Sequence, residues 1–108
     1  MKLQKIGLFL FFTHGFTKEA KMDLYKIVGH AIRHLRTQRA LSQVTVSTRS
    51  GVNHSYYCAI ERGDANPSVK KLYDILSAIG ATPAEFAEAL SIVVRGVCVT
   101  TDAGSLRE

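Results

Sequence analysis

The sequence predicts an all-α fold in one small domain, and three observations support that prediction. Apolar residues recur every three or four positions in segments 24–35 and 69–79, which is the spacing of one helix face. The segment from Thr82 to Glu85 is a capping box with proline at the first helical position, which marks another helix start. The chain has 108 residues, 46% hydrophobic and 21% charged, as expected of a single globular domain with a modest core.

The first predicted helix begins after Asp23, a residue suited to cap it. The face that we expect this helix to bury comprises Leu24, Ile27, Val28, Ala31, Ile32 and Leu35. Three arginines, Arg33, Arg36 and Arg39, then project from the remaining arc. The helix is therefore predicted to be apolar on one side and basic on the other.

The segment 42–63 permits two interpretations. Val44 to Thr48 alternates apolar and polar residues and is rich in β-branched ones, which favours a strand. An isolated hairpin is only marginally stable in water, however, and the flanking segments predict helices. We therefore expect two short helices, capped by Ser42 and Asn53, with Gly51 supplying the positive φ of the turn. The side chains expected to face inward are Val46, Ser47, Ser50, Val52, Tyr57 and Ile60.

Two further helices follow a loop that runs from Gly63 to Ser68. Ser68 can cap the first of them, and Gly80 ends it in the C′ position that favours glycine. Its expected buried stripe is Val69, Leu72, Tyr73, Leu76 and Ile79. The next helix starts in the capping box and is expected to bury Phe86, Ala89 and Leu90.

The chain ends flank a domain predicted at residues 22–92. Residues 92–99 either extend the last helix or form a strand paired with the apolar segment 8–12. That segment belongs to an N-terminal extension, 1–21, and is far shorter than the roughly 18 residues that span a bilayer. The tail 93–108 is a candidate dimerisation segment. No membrane partner is expected.

The formal net charge is +5, and it is concentrated in one part of the chain. Residues 33–62 contain five arginines and a single acidic residue, Glu61. That balance is typical of a protein with a polyanionic partner, and a merely basic soluble surface is the alternative. The two cysteines, Cys58 and Cys98, are too few for a disulfide framework, so we expect free thiols in a reducing cytoplasm.

Catalytic and metal-binding signals are weak in this sequence. It contains no Gly-x-Ser-x-Gly, no Walker loop and no paired carboxylates on one helix face, so an enzyme is not expected. His30 and His34 lie one helical turn apart, but no third ligand is evident nearby. We expect no metal and no cofactor.

Six short motifs occur in one order along residues 26–90. They are Gly29-x-x-x-Arg33-x-x-Arg36, Leu41-Ser42-Gln43, Ser50-Gly51-Val52, Ile60-Glu61-Arg62-Gly63, Asn66-Pro67-Ser68 and Gly80-x-Thr82-Pro83. Together they resemble the Cro/C1-type (XRE) helix-turn-helix family of transcriptional regulators. The resemblance implies a compact five-helix bundle of the lambda-repressor-like DNA-binding type. It also implies that the protein is a homodimer. Each copy would dock a recognition helix, about 53–61, into the major groove of a palindromic double-stranded operator.

The resemblance also implies a role for each matched position. Residues expected to read base edges are Asn53, His54, Ser55, Cys58 and Ala59. Residues expected to contact phosphates are Gln43, Arg49, Tyr56, Arg62, Lys70 and Lys71. Arg36 and Glu61 match a pair that forms a structural salt bridge in the family.

The sequence departs from the family pattern at two informative positions. Ala40 replaces the usual glycine before Leu41, which costs about 1 kcal/mol if a positive φ is needed there. Ser47 occupies a position where a small apolar residue normally packs.

The preferred interpretation is a cytoplasmic, sequence-specific DNA-binding regulator that acts as a repressor or autoregulator. Two alternatives stay open. One is the antitoxin of a toxin–antitoxin pair, and the other is a protein-interaction module without DNA binding.

Overall fold

The computed structural model describes residues 18–107, and the side chains of residues 24–96. Within that part the chain forms five α-helices and no strand, which confirms the predicted all-α fold. The helices are α1 (Lys18–Gln38), α2 (Gln43–Ser50), α3 (His54–Arg62), α4 (Val69–Ile79) and α5 (Pro83–Arg107). The apolar segment 8–12 and the side chain of Cys98 lie outside the described residues. The predicted pairing of segment 8–12 with residues 92–99 therefore involves residues that are not described.

The helix α2 forms although its residues favour a strand. Ser42 Oγ accepts a hydrogen bond from the amide of Thr45 at 3.0 Å, and Gly51 closes the other end with φ 74°. Between these caps Val46 is fully buried, and Val52 plugs the turn that follows. Caps at both ends and burial of one side outweigh a propensity difference of less than about 1 kcal/mol per residue. The strand interpretation of 44–48 is therefore wrong.

The helix α1 approaches α3 very closely at Gly29. A Cβ atom at this position would lie 2.4 Å from the carbonyl oxygen of Ile60 and 2.6 Å from that of Glu61. Only a residue without a side chain permits two helix backbones to come this close. The contact fixes the position of α3 against the rest of the bundle.

The hydrophobic core is drawn from all five helices and the turns between them. Its buried members are Ala31, Ile32, Leu35, Val46, Val52, Tyr57, Ile60, Ile75, Leu76, Ile79, Ala81 and Ala89. The predicted stripe of α4 is wrong at two positions, because Val69 is 83% exposed and Tyr73 is 67% exposed. Ile75 is fully buried instead, so α4 presents a face rotated from the predicted one.

The first and last helices have bounds that the sequence alone did not determine. The first helix begins at Lys18, so Asp23 lies inside it and is not its cap. Leu24, predicted to be buried, is 55% exposed. The last helix continues through residues 92–99 to Arg107, so the helical alternative for that segment is confirmed and the strand alternative is wrong.

The corner between α4 and α5 is built from local contacts that the sequence predicts. Gly80 ends α4 with φ 86°. The amide of Thr82 donates to Glu85 Oε1 at 2.9 Å, and the amide of Glu85 donates to Thr82 Oγ1 at 3.1 Å. This reciprocal pair is the predicted capping box, and Phe86 and Leu90 pack against the core behind it.

Candidate nucleic-acid interface

A buried ion pair joins α1 to the end of α3. Arg36 Nε donates to Glu61 Oε2 at 2.7 Å, and Arg36 Nη2 donates to Glu61 Oε1 at 3.1 Å. The side chains of Arg36 and Glu61 are only 11% and 3% exposed. A third donor, Arg36 Nη1, reaches the carbonyl oxygen of Leu41 at 2.7 Å. The structural salt bridge predicted from the sequence is confirmed.

Glu61 is also the centre of a larger polar network. The hydroxyl of Tyr57 and Nε2 of Gln43 both donate to its carboxylate, the latter at 3.0 Å. Burial alone would raise the pKa of Glu61, but the hydrogen bonds from Arg36, Tyr57 and Gln43 hold it below its ordinary value. Burial, reinforced by the hydrogen bond to Glu61, raises the pKa of Tyr57. These residues therefore form a charged, hydrogen-bonded cluster on the buried side of α3.

The residues expected to read bases lie at the first turn and along one side of α3. Asn53 caps the helix, because its Oδ1 accepts a hydrogen bond from the amide of Tyr56 at 3.1 Å. His54 and Ser55 follow it and are exposed, as is Asn53, whereas Cys58 and Ala59 are half-buried. The recognition helix runs over His54–Arg62. The first turn of α3 thus offers the more accessible polar groups.

His54 is connected to the buried network through its neighbours. Its Nδ1 lies 3.3 Å from Ser47 Oγ, and its Nε2 lies 3.6 Å from Cys58 Sγ. Cys58 Sγ in turn lies 3.6 Å from Oε1 of Gln43. Polar contacts therefore run from the ion pair under α3 to the exposed first turn. Sequence reasoning did not predict that Ser47 contacts His54 or that Tyr57 binds Glu61. The four-residue spacing of Tyr57 and Glu61 on one helix was a usable signal for the second contact.

Gln43 was expected to bind a phosphate from the N-terminus of α2. In this structure its side-chain amide is half-buried, with Nε2 on Glu61 and Oε1 facing Cys58. The N-terminus of a helix favours an anion, because its first amide groups have no partner within the helix. A phosphate role for this residue stays a prediction.

The cationic residues expected to contact phosphates are exposed around α3, and most have an internal partner. Arg62 pairs with Asp64 at 3.1 Å, and Lys70 pairs with Asp74 at 3.0 Å. Exposed pairs of this kind contribute little free energy, so a phosphate can replace the carboxylate at small cost.

Two other members of this cationic set are held differently. Arg49 Nη1 donates to the carbonyl oxygen of Ala78 at 3.4 Å. Lys71 Nζ lies 5.9 Å from the ring centre of Tyr56, whose hydroxyl donates to the carbonyl oxygen of Asn66 at 3.2 Å. Across residues 24–96 neither Arg49 of α2 nor Lys71 of α4 forms an ion pair.

The described residues show neither a metal-binding cluster nor a single membrane-spanning helix. No group of three or more metal-ligating side chains comes together among them. No single described helix is long and apolar enough to cross a membrane, and only α4 joined to residues Pro83–Gly96 reaches that length and composition, with a bend of 98° between them.

The helix-turn-helix region is similar in sequence to a protein family and to known regulators. A family model described as Helix-turn-helix matches residues 32–86. An uncharacterised HTH-type transcriptional regulator of Sinorhizobium fredii is 39% identical over 64 residues, which cover 59% of this chain and 83% of the relative.

Solved structures show the same fold. The restriction-modification controller protein C.AhdI from Aeromonas hydrophila is 34% identical with a TM-score of 0.55, over 57% of this chain and 94% of that protein. The controller protein C.Esp1396I, solved as a tetramer with its natural 35-base-pair operator, has a TM-score of 0.63 over 66% of this chain and 93% of that protein. At 24% identity the latter similarity concerns the fold alone.

Proposed function

The chain belongs to the Cro/C1-type helix-turn-helix family, and from this premise we propose that it is a sequence-specific DNA-binding transcriptional regulator. It acts as a repressor or autoregulator in the cytoplasm and is not an enzyme. Its DNA-binding domain spans residues 22–92. It inserts α3 into the major groove of double-stranded DNA.

One observation carries this proposal: the exposed polar first turn of α3 rests on a rigid base. His54 and Ser55 are exposed in the first turn of the helix, while Tyr57, Ile60 and Glu61 further along it are buried. The close approach at Gly29 and the bonds to Glu61 both restrain the last turn of α3, and the Asn53 cap holds its first turn. Side chains on a restrained helix can read base edges with defined geometry.

The surrounding cations supply the second half of the interaction. Arg49, Arg62, Lys70 and Lys71 contact the DNA backbone on both sides of α3, and Gln43 and Tyr56 add hydrogen bonds to phosphate. Such contacts position the protein without reading sequence. They also make the affinity depend steeply on salt, because each contact displaces condensed counterions.

The protein binds as a homodimer, with the segment 93–108 contributing to the contact between the two copies. Ile92 and Val94, near the middle of the long helix α5, are 41% and 42% exposed and are available to a second copy. A two-fold dimer places its two recognition helices about one turn of DNA apart, so the operator is a palindrome.

The test is fluorescence-anisotropy binding to the DNA upstream of the protein's own gene, beside a scrambled duplex. We expect selective binding whose affinity falls by about 10³-fold or more between roughly 50 and 200 mM salt. The double variant His54→Ala/Ser55→Ala should lose selectivity by about 10- to 100-fold and keep the salt-dependent component.

A matched double variant, His30→Ala/Ser91→Ala, removes the same two residue types from α1 and α5. It should bind as the wild type does. Weak, salt-insensitive association with both duplexes would contradict the proposal and favour a protein-interaction module.

A further inference from the structure

The buried serine of α2 faces the first residue of α3. Ser47 is 4% exposed. Its Oγ lies 3.1 Å from the carbonyl oxygen of Val44 and 3.3 Å from Nδ1 of His54. A serine hydroxyl has one hydrogen, so it can donate to only one of these two neighbours. That choice decides which ring nitrogen of His54 carries the proton.

In the first arrangement the Ser47 hydroxyl donates to the Val44 carbonyl. Nδ1 of His54 then carries the proton and donates to Ser47 Oγ, and the Cys58 thiol donates to Gln43 Oε1. This arrangement has two ordinary hydrogen bonds and one weak bond, since a thiol is a weak donor.

In the second arrangement the Ser47 hydroxyl donates to Nδ1 of His54. Nε2 then carries the proton, and its protein neighbour within hydrogen-bond distance is the sulfur of Cys58 at 3.6 Å, while the thiol still donates to Gln43. This arrangement has one ordinary hydrogen bond and two weak ones, because sulfur is also a weak acceptor. The first arrangement is therefore the more stable of the two.

The orientation of Gln43 supports the first arrangement. Its NH₂ group must face the carboxylate of Glu61, since only that end of the amide can donate. Its oxygen consequently faces Cys58 and accepts the thiol proton. Nε2 of His54 is left with an unshared electron pair at the exposed end of the recognition helix.

We propose that Ser47 is a positioning residue that holds His54 in the Nδ1–H tautomer, so that Nε2 accepts a hydrogen bond from the amino group of adenine or cytosine. The inference rests on the proposed DNA-binding function. In the major groove adenine N6 and cytosine N4 are donors, whereas guanine and thymine present acceptors at the same edge. The opposite tautomer of His54 would donate from Nε2, and at the same positions it would favour guanine O6 or thymine O4 over the amino groups of adenine and cytosine.

The tautomer can be measured without DNA, by nitrogen-15 NMR of the imidazole ring in the full chain at about pH 8. We expect the Nδ1–H form in the wild type. Ser47→Ala should shift His54 toward the Nε2–H form. Ser50→Ala removes a hydroxyl that bonds the Ser47 carbonyl on the same helix, and it should leave the tautomer unchanged.

The base preference is measured by selecting duplexes from a randomised library with the full chain. The position whose preference His54→Ala abolishes identifies the base that His54 contacts. At that position the wild type should prefer adenine or cytosine on the contacted strand by about fivefold, the worth of one neutral hydrogen bond. Ser47→Ala should reduce the preference below about twofold, Ser50→Ala should keep it, and Ser47→Ala should have no further effect in a His54→Ala background.

The outcomes separate this inference from the function on which it rests. An Nε2–H tautomer in the wild type, or a tautomer unaffected by Ser47→Ala, would overturn the inference, as would a preference for guanine or thymine. Failure of every variant to select DNA would overturn the proposed function and with it the reading role of His54. The NMR result would then describe the Ser47–His54 contact alone.

Discussion

Two arginines at the end of α1, Arg36 in its last turn and Arg39 just after it, form ion pairs in very different surroundings. Arg36 binds Glu61 of α3, and the two side chains are 11% and 3% exposed. Arg39, three residues later, binds Glu85 of α5 at 3.1 Å, and those side chains are 28% and 47% exposed. The same chemistry therefore joins α1 to the recognition helix inside the protein, and the residue that follows α1 to the last helix at the surface.

The difference shows which of the two contacts is more sensitive to the loss of one partner. In the buried pair every donor and acceptor is satisfied, so the loss of one partner leaves a charge in a poorly solvated site. In the exposed pair water replaces the missing partner. The long-range electrostatic restraint is thus strong under α3, which we propose reads DNA, and weak at α5, where a local capping box already fixes the helix start.

The largest expected effect comes from breaking each pair in turn. Arg36→Met should lower the free energy of unfolding by about 3–5 kcal/mol, because Glu61 stays buried without its counter-charge. Arg39→Met is the matched control and should cost no more than about 1 kcal/mol. Urea unfolding followed by far-UV circular dichroism measures both. Equal losses in the two variants would contradict the comparison.

A pH series sharpens the same comparison. The pKa of Glu61 is lower in the folded state than the ordinary value of about 4.3, so its stabilising contribution is present above that pH and is lost as the pH falls through the lowered value. In Arg36→Met burial is no longer opposed by the arginine, so the carboxylate should favour its protonated form. The stability difference between wild type and Arg36→Met should therefore shrink as the pH falls from about 6 to about 3.

Glu85 provides an internal reference for that series. The backbone amide of Thr82 lowers its pKa, with a smaller contribution from Arg39, and this carboxylate is present in both proteins. Its effect should cancel in the difference. A stability gap that stays constant over the whole pH range would show that Arg36 does not control the ionisation of Glu61.

The smallest expected effect concerns the turn that carries the carbonyl group bound by Arg36. Ala40 precedes Leu41 and has φ 55°, which confirms the positive φ expected where the family has glycine. Ala40→Gly should raise the free energy of unfolding by about 0.5–1 kcal/mol, since relief of strain exceeds the added freedom of the unfolded chain. Ala84→Gly, in the first turn of α5, should instead lower it by a similar amount. Denaturation midpoints that move in the same direction would contradict this account.

The sequence predicted the local parts of the fold well. The caps at Ser42, Asn53, Ser68 and Thr82 were all predicted, because each depends on a contact between residues three apart in the chain. Gly51 and Gly80 were predicted for the same reason, as residues that end a helix in a left-handed conformation. The salt bridge between Arg36 and Glu61 came from the family resemblance, and no local rule predicts it.

The sequence by itself therefore determined the number of helices in the domain, most of their ends and the positions of the exposed first turn of α3. Only the tertiary structure decided which way the ambiguous segments face: α2 is helical because its neighbours bury Val46, and α4 turns Ile75 inward and Tyr73 outward. It also decided that Gln43 binds Glu61 and that Ser47 meets His54. The physical reason is that capping energies depend on a few adjacent residues, whereas burial and hydrogen-bond partners depend on groups that are distant in the chain.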